Sequence, residues 1–264
     1  MSVAAGTDTI AAAFAAASGR AALMPYLMGG FPDLAASRAI GEAYAEHGAD
    51  LVELGVPFSD PLADGPVIHA AGTAALAAGA TVHGVLEVGR ALADAVPVVL
   101  MCYANLVFAR GVERFADDLR ARGISGLIVP DLPLEEAGDA LAACDAAGVA
   151  LVGLVAPTTP ERRLAAIGRS ARGFVYTVSV TGTTGERREL AGDLAAILDR
   201  TRAHFDVPVA LGFGIATPGA AAAAADAGAD GVIIGSRLVR AAAEASDPAA
   251  AVGELVAEFA AALR

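Results

Sequence analysis

One phrase recurs along the 264 residues: an amphipathic helix, a glycine, then a short apolar run. It occurs in Glu42–Pro57 (EAYAEHGADLVELGVP), Asp117–Pro130 (DDLRARGISGLIVP), Leu141–Pro157 (LAACDAAGVALVGLVAP) and Ala223–Ser236 (AAADAGADGVIIGS). Glycine at Gly48, Gly123, Gly148 and Gly228 suits the left-handed conformation that ends a helix. The Val, Ile and Leu run behind each glycine reads as a parallel strand buried on both faces. Filling the gaps gives eight strands: Leu23–Met28, Leu51–Leu54, Val98–Tyr103, Leu127–Pro130, Ala150–Leu154, Phe174–Val178, Val209–Leu211 and Gly231–Ile234. Eight βα units without a Pro/Ser-rich linker or charge block predict an α/β fold, a single (β/α)8 TIM barrel, as one domain over 1–264. A doubly wound open sheet is the alternative, because periodicity does not see closure.

Composition narrows the chemistry. The formal net charge is −12 and the sequence contains no lysine. Nucleic acid is therefore a poor partner, since its binding depends on Lys and Arg neutralising phosphates. Cys102 and Cys144 read as small core hydrophobes in a reducing compartment. The four histidines, His47, His69, His83 and His204, are scattered in or beside helices, so no metal is expected. The first twenty residues lack the charged and apolar regions of a signal peptide. No apolar run reaches the roughly 18 residues of a spanning helix. The expectation is a cytoplasmic protein with no membrane contact.

A barrel of this kind places its active site at the C-terminal ends of its strands. Glu53 sits there. In LVELG the alternation puts Leu51, Glu53 and Gly55 on one face. A carboxylate buried in a barrel strand is costly without a task or an ion-pair partner. The loop that follows, PFSDPLADGP from Pro57 to Pro66, adds Asp60 and Asp64 among three prolines and a glycine. Either aspartate could instead make an ordinary turn. Gly212-Phe213-Gly214-Ile215 follows the seventh strand, and Gly235-Ser236 follows the eighth and opens a helix that Ser236 could cap. Barrel phosphate sites use those two loops. Arg237 starts the same helix and is expected to point outward, leaving an anion chiefly to backbone N–H groups. TGTTG, Thr181–Gly185, reads as the start of a lid or as a plain surface loop. Tyr103, Asn105, Asp131 and Tyr176 lie at or near the same end and could line a pocket.

ELGVPFSDPLADGP, Glu53–Pro66, resembles the signature of tryptophan synthase alpha subunits. MCYANLVF (Met101–Phe108), VPDLPLEE (Val129–Glu136), TGTTG, GFGI and the terminal GS fit the same family pattern, from about Leu23 onward. The resemblance implies retro-aldol cleavage of indole-3-glycerol phosphate to indole and glyceraldehyde 3-phosphate. It puts the catalytic pair on Glu53 and Asp64. Substrate contacts fall on Tyr26, Tyr103, Leu127, Tyr176, Thr184 and Gly212, with phosphate-binding backbone at Gly185, Gly214, Gly235 and Ser236. Asp60 and Asn105 fall at the interface with a beta subunit, in an expected αββα heterotetramer. This chain would carry no cofactor, and pyridoxal phosphate would sit in the beta partner. Val180 and Thr183, both in the lid, differ from the arginine and valine of some members.

Two other readings stay open: a different phosphate-binding barrel enzyme, and a non-catalytic barrel that only activates a partner. The glycine loops fit all three, whereas ELGVPFSDPLADGP and its two acids favour the lyase. Lacking lysine, the chain cannot cleave an aldol through a Schiff base.

Overall fold

A computed structural model describes residues 6–178, 194–212 and 214–264. Its strands are β1 (Ala22–Met28), β2 (Val52–Gly55), β3 (Val98–Met101), β4 (Gly126–Ile128), β5 (Ala150–Leu151), β6 (Gly153–Val155), β7 (Val175–Val178), β8 (Val209–Gly212) and β9 (Gly231–Ile234). All pair in parallel, in the order β5-β4-β3-β2-β1-β9-β8-β7-β6. The two ends of that order, β5 and β6, are successive pieces of one stave separated only by Val152, whose N–H donates to the Leu127 carbonyl (2.9 Å). The ring is thereby closed, and the eight expected staves are all present, the fifth in two halves. An open doubly wound sheet is excluded. The expected third strand stops at Met101, because Tyr103 becomes the N-cap of the helix Ala104–Phe108.

The opening motif does what its chemistry requires. Gly48, Gly123, Gly148 and Gly228 all have positive φ, between 70° and 104°, at the ends of helices. A Cβ-bearing residue is strained there, so the helix stops and the chain turns into the next strand.

Neighbouring strand residues divide between two cores, as alternation demands. Leu23, Val98, Leu127, Val175, Val209 and Val232 pack outward beneath the helices. Met24, Val99, Ile128, Tyr176, Ala210 and Ile233 fill the barrel. The N-terminal helix Gly6–Ala16 plugs the lower opening. Ile10 is fully buried there among the inner residues, and Phe14 meets Phe174 with ring centroids 5.9 Å apart. Burying one such side chain contributes about 1.5–3 kcal/mol. Among the described residues no single helix is long and apolar enough to cross a membrane.

Candidate active site

Inward-facing residues near the strand C-termini open into a cavity lined on one side by Glu53, Ala63 and Asp64 and on the other by Gly214, Gly235, Ser236 and Arg237. Between them the wall is apolar: Ile68, Met101, Ile128, Leu154, Ile215 and Ile233, with the rings of Tyr26 and Tyr176. This shape suits a flat apolar group carrying polar or charged ends.

Glu53 reaches the cavity by strand parity. Leu51 belongs to the inner core, while Val52 and Leu54 pack outward. Glu53 pairs in register with Tyr26 of β1 and Val99 of β3. It is 2% exposed, and its Oε2 has no hydrogen-bond partner among the described residues. Burial, with a smaller contribution from the charge of Asp64, pushes its pKa up to about 8. A carboxyl so placed holds a proton near neutrality and can give it away.

Asp64 stands just ahead of the helix Pro66–Ala77, whose N-cap is Gly65. Its surroundings are drier than a polar loop suggests, and burial raises its pKa. Hydrogen bonding from the Tyr103 hydroxyl and the charge of His69 pull the other way. The Tyr103 hydroxyl also accepts the N–H of Ala63 (3.0 Å), and its ring stacks on Phe58 at 5.3 Å. Tyr103 therefore fixes both arms of the Pro57–Pro66 loop from behind, rather than lining the cavity.

Two glycines admit the tyrosine rings. A Cβ on Gly55 would collide with the Tyr26 hydroxyl, and one on Gly212 with the Tyr176 ring. Gly212 thus supports Tyr176 instead of facing the cavity. Gly214, at φ 84°, and Gly235 do line it; a Cβ on Gly235 would meet nothing nearer than Tyr26 Cβ at 3.9 Å.

Four expectations need correcting. Leu127 lies in the outer core under the helices, and the cavity residue is its neighbour Ile128. Ser236 does not cap its helix: Gly235 holds the N-cap position, with no side-chain capping bond, and Ser236 is the first helical residue. Arg237, expected to point outward, is half-buried and is among the residues that line the cavity. Asp131 has a structural task, accepting the N–H of Ala104 (2.8 Å) at the start of the short helix Ala104–Phe108. Thr184 and Gly185, with Val180, Thr183 and the rest of the expected lid, lie outside the described residues. Among the described residues no cluster of three or more His, Cys, Asp or Glu is arranged to hold a metal ion.

Asp60 and Asn105 are exposed on adjacent βα loops at this same end of the barrel, away from the cavity wall. Near them in sequence, Leu62 is 79% and Phe108 49% exposed.

Comparison with known proteins agrees with this geometry. The family model described as tryptophan synthase alpha chain matches residues 13–263. A tryptophan synthase alpha chain from Prochlorococcus marinus is 48% identical over 226 residues, 85% of this chain and 82% of that one. The Geobacter sulfurreducens protein of the same description is 46% identical over 93% of this chain and 92% of its own length. Among solved structures, Mycobacterium tuberculosis tryptophan synthase superposes with a TM-score of 0.89 at 40% identity, covering 100% of this chain and 99% of that one. A chain of the Pyrococcus furiosus tryptophan synthase a2b2 complex, studied for its mutual activation, gives 0.85 at 34% identity, over 91% and 98%.

Proposed function

The chain belongs to the tryptophan synthase alpha chain family, and on that premise we propose that the cavity between Glu53 and Ser236 is where its substrate is cleaved. The reaction is the lyase half-reaction of tryptophan biosynthesis, indole-3-glycerol phosphate to indole and glyceraldehyde 3-phosphate. The observation that carries the assignment of the site is Glu53, a buried carboxyl on the cavity wall whose Oε2 has no hydrogen-bond partner among the described residues. A carboxyl kept only for structure would have a cation or a hydrogen bond there.

The roles follow from the surroundings. Glu53, protonated at neutral pH, gives its proton to indole C3. Asp64, as a carboxylate, accepts the indole N–H, leaving a C2=N double bond. Glu53, now ionised, takes the proton of the side-chain hydroxyl next to the bond that breaks. As that hydroxyl becomes the aldehyde, the C–C electron pair returns into the ring, and Asp64 gives its proton back to nitrogen. Both carboxyls end as they began. Tyr26, Tyr176, Met101, Ile128 and Ile233 hold the indole ring. The N–H groups at Gly214, Gly235 and Ser236 receive the phosphate at a helix start, where first-turn donors have no partner within the helix. Thr184 and Gly185 are assigned to the closing side of the site on the family resemblance.

The purified chain should release indole and glyceraldehyde 3-phosphate in equal amounts from indole-3-glycerol phosphate, more slowly alone than with a matched beta subunit. Absence of indole under both conditions would sink the assignment.

In this reading the partner is a tryptophan synthase beta subunit, which holds the pyridoxal phosphate, and two alpha chains cap a beta dimer as αββα in the cytoplasm. Support comes from the exposed Asp60, Leu62, Asn105 and Phe108. Asp60 also lies in the loop that carries Asp64, so pressure on one end of that loop reaches the other. Asp60→Ala should leave the unpartnered rate within about twofold but cut the activation by beta about tenfold or more, the range of a lost charge-assisted contact. Activation that survives the change intact would argue against this interface.

A further inference from the structure

Among the described residues the cavity wall contains two acids and a single cation, Arg237. It is the second residue of the helix Ser236–Glu244 and is half-buried. Among the described residues nine other arginines have carboxylate partners. Arg237 has no ion pair or hydrogen bond among the described residues, although Glu53 and Asp64 share its cavity. Its position is also locally unfavourable. The first turn of a helix carries the positive end of the dipole, which repels a cation and favours an anion. An arginine in that field, half-buried, following Gly235 and Ser236 and lining a cavity, breaks a local rule in the way that functional positions do.

We propose that Arg237 is a specificity-determining residue for the substrate's phosphate, its guanidinium adding a forked, charged pair of donors to the backbone cradle of Gly214, Gly235 and Ser236. The proposal rests on the reading of the cavity given above and extends it. A dianion at the helix start cancels both the dipole and the charge of Arg237, so each favours the other. In a chain of net charge −12 without lysine, Arg237 is also the one basic side chain on the cavity wall among the described residues. Guanidinium suits the task because its planar donors match phosphate oxygens in pairs. A substrate lacking the phosphate would leave Arg237 unpaired and lose affinity accordingly.

The test uses the full chain and two readouts. Calorimetry with glycerol 3-phosphate measures the phosphate end alone, with glycerol as the control that lacks it. Arg237→Ala should weaken glycerol 3-phosphate about tenfold, the range of a charge-assisted hydrogen bond, and Arg237→Glu more. Arg237→Lys should recover part of the loss. The wild-type affinity should fall more steeply with added salt than that of the alanine variant. In the indole assay the loss should appear in KM, with kcat within about twofold, since the contact lies away from the bond that breaks. Equal affinity of wild type and Arg237→Ala, no binding by either, or a loss confined to kcat would overturn the proposal. Wild-type chain that binds glycerol 3-phosphate through Arg237 but releases no indole would instead overturn the lyase assignment of the cavity and leave Arg237 as its anion ligand.

Discussion

Glu53→Gln is expected to lower indole release by a factor of about 10²–10⁴, the usual span for removing a general acid–base group. It should also make the fold more stable at neutral and alkaline pH. Both effects come from one fact: the Glu53 carboxyl is buried and its pKa stands near 8, against 4.5 for an ordinary glutamate. Below pH 4.5 the group is protonated in both folded and unfolded chains, and burial carries no ionisation penalty. Between 4.5 and 8 the unfolded chain ionises while the folded one keeps its proton, so stability falls with rising pH. Above 8 both forms are ionised and the loss levels off. Over that window it amounts to about 5 kcal/mol. Glutamine has the same shape and no such titration. The stability difference between variant and wild type, from denaturant midpoints at pH 5, 7 and 8.5, should therefore widen upward through this range. A difference that does not change with pH would mean that Glu53 is not held neutral. The wild-type kcat/KM should fall above about pH 8 as the acid is lost.

The same burial explains why Glu53 is legible in the sequence. A charged residue at the centre of LVELG contradicts the apolar rule of a two-sided strand, and such a contradiction points to function. The barrel was legible for a related reason: in each of the four recurring phrases the helix stops at a glycine, and all four show positive φ. What the sequence left hidden was mostly parity and reach. Leu127 and Ile128 are equally apolar, and only pairing with β3 decides which one faces inward. The split at Val152 and the plug by Ile10 depend on how the ring closes, which no local pattern encodes. Arg237 was misjudged because helix position alone does not say whether a long side chain lies along a cavity or leaves it. Strand alternation applied from Glu53 around the ring would have found Ile128 and Ile233.

Asp64→Asn is expected to reduce kcat by a factor of about 10²–10⁴ while changing KM far less. The carboxylate is needed to accept the indole N–H, and asparagine can turn its amide N–H₂ toward the same point, setting donor against donor. The loss therefore falls on the step that makes C3 basic, not on the grip of the ring or the phosphate. The loop offers a second handle. Tyr103 holds Asp64's pKa down and ties the loop through Ala63. Tyr103→Phe removes the hydroxyl and keeps the ring that stacks on Phe58. Burial then acts on Asp64 with less opposition, so its pKa rises, and the acid side of the kcat/KM profile should move to higher pH. At pH values above that limb, turnover should stay within about tenfold of wild type, because the base itself is intact. Asp64→Asn with near wild-type turnover would remove Asp64 from the reaction. A Tyr103→Phe profile that drops evenly at every pH would reduce Tyr103 to a loop anchor.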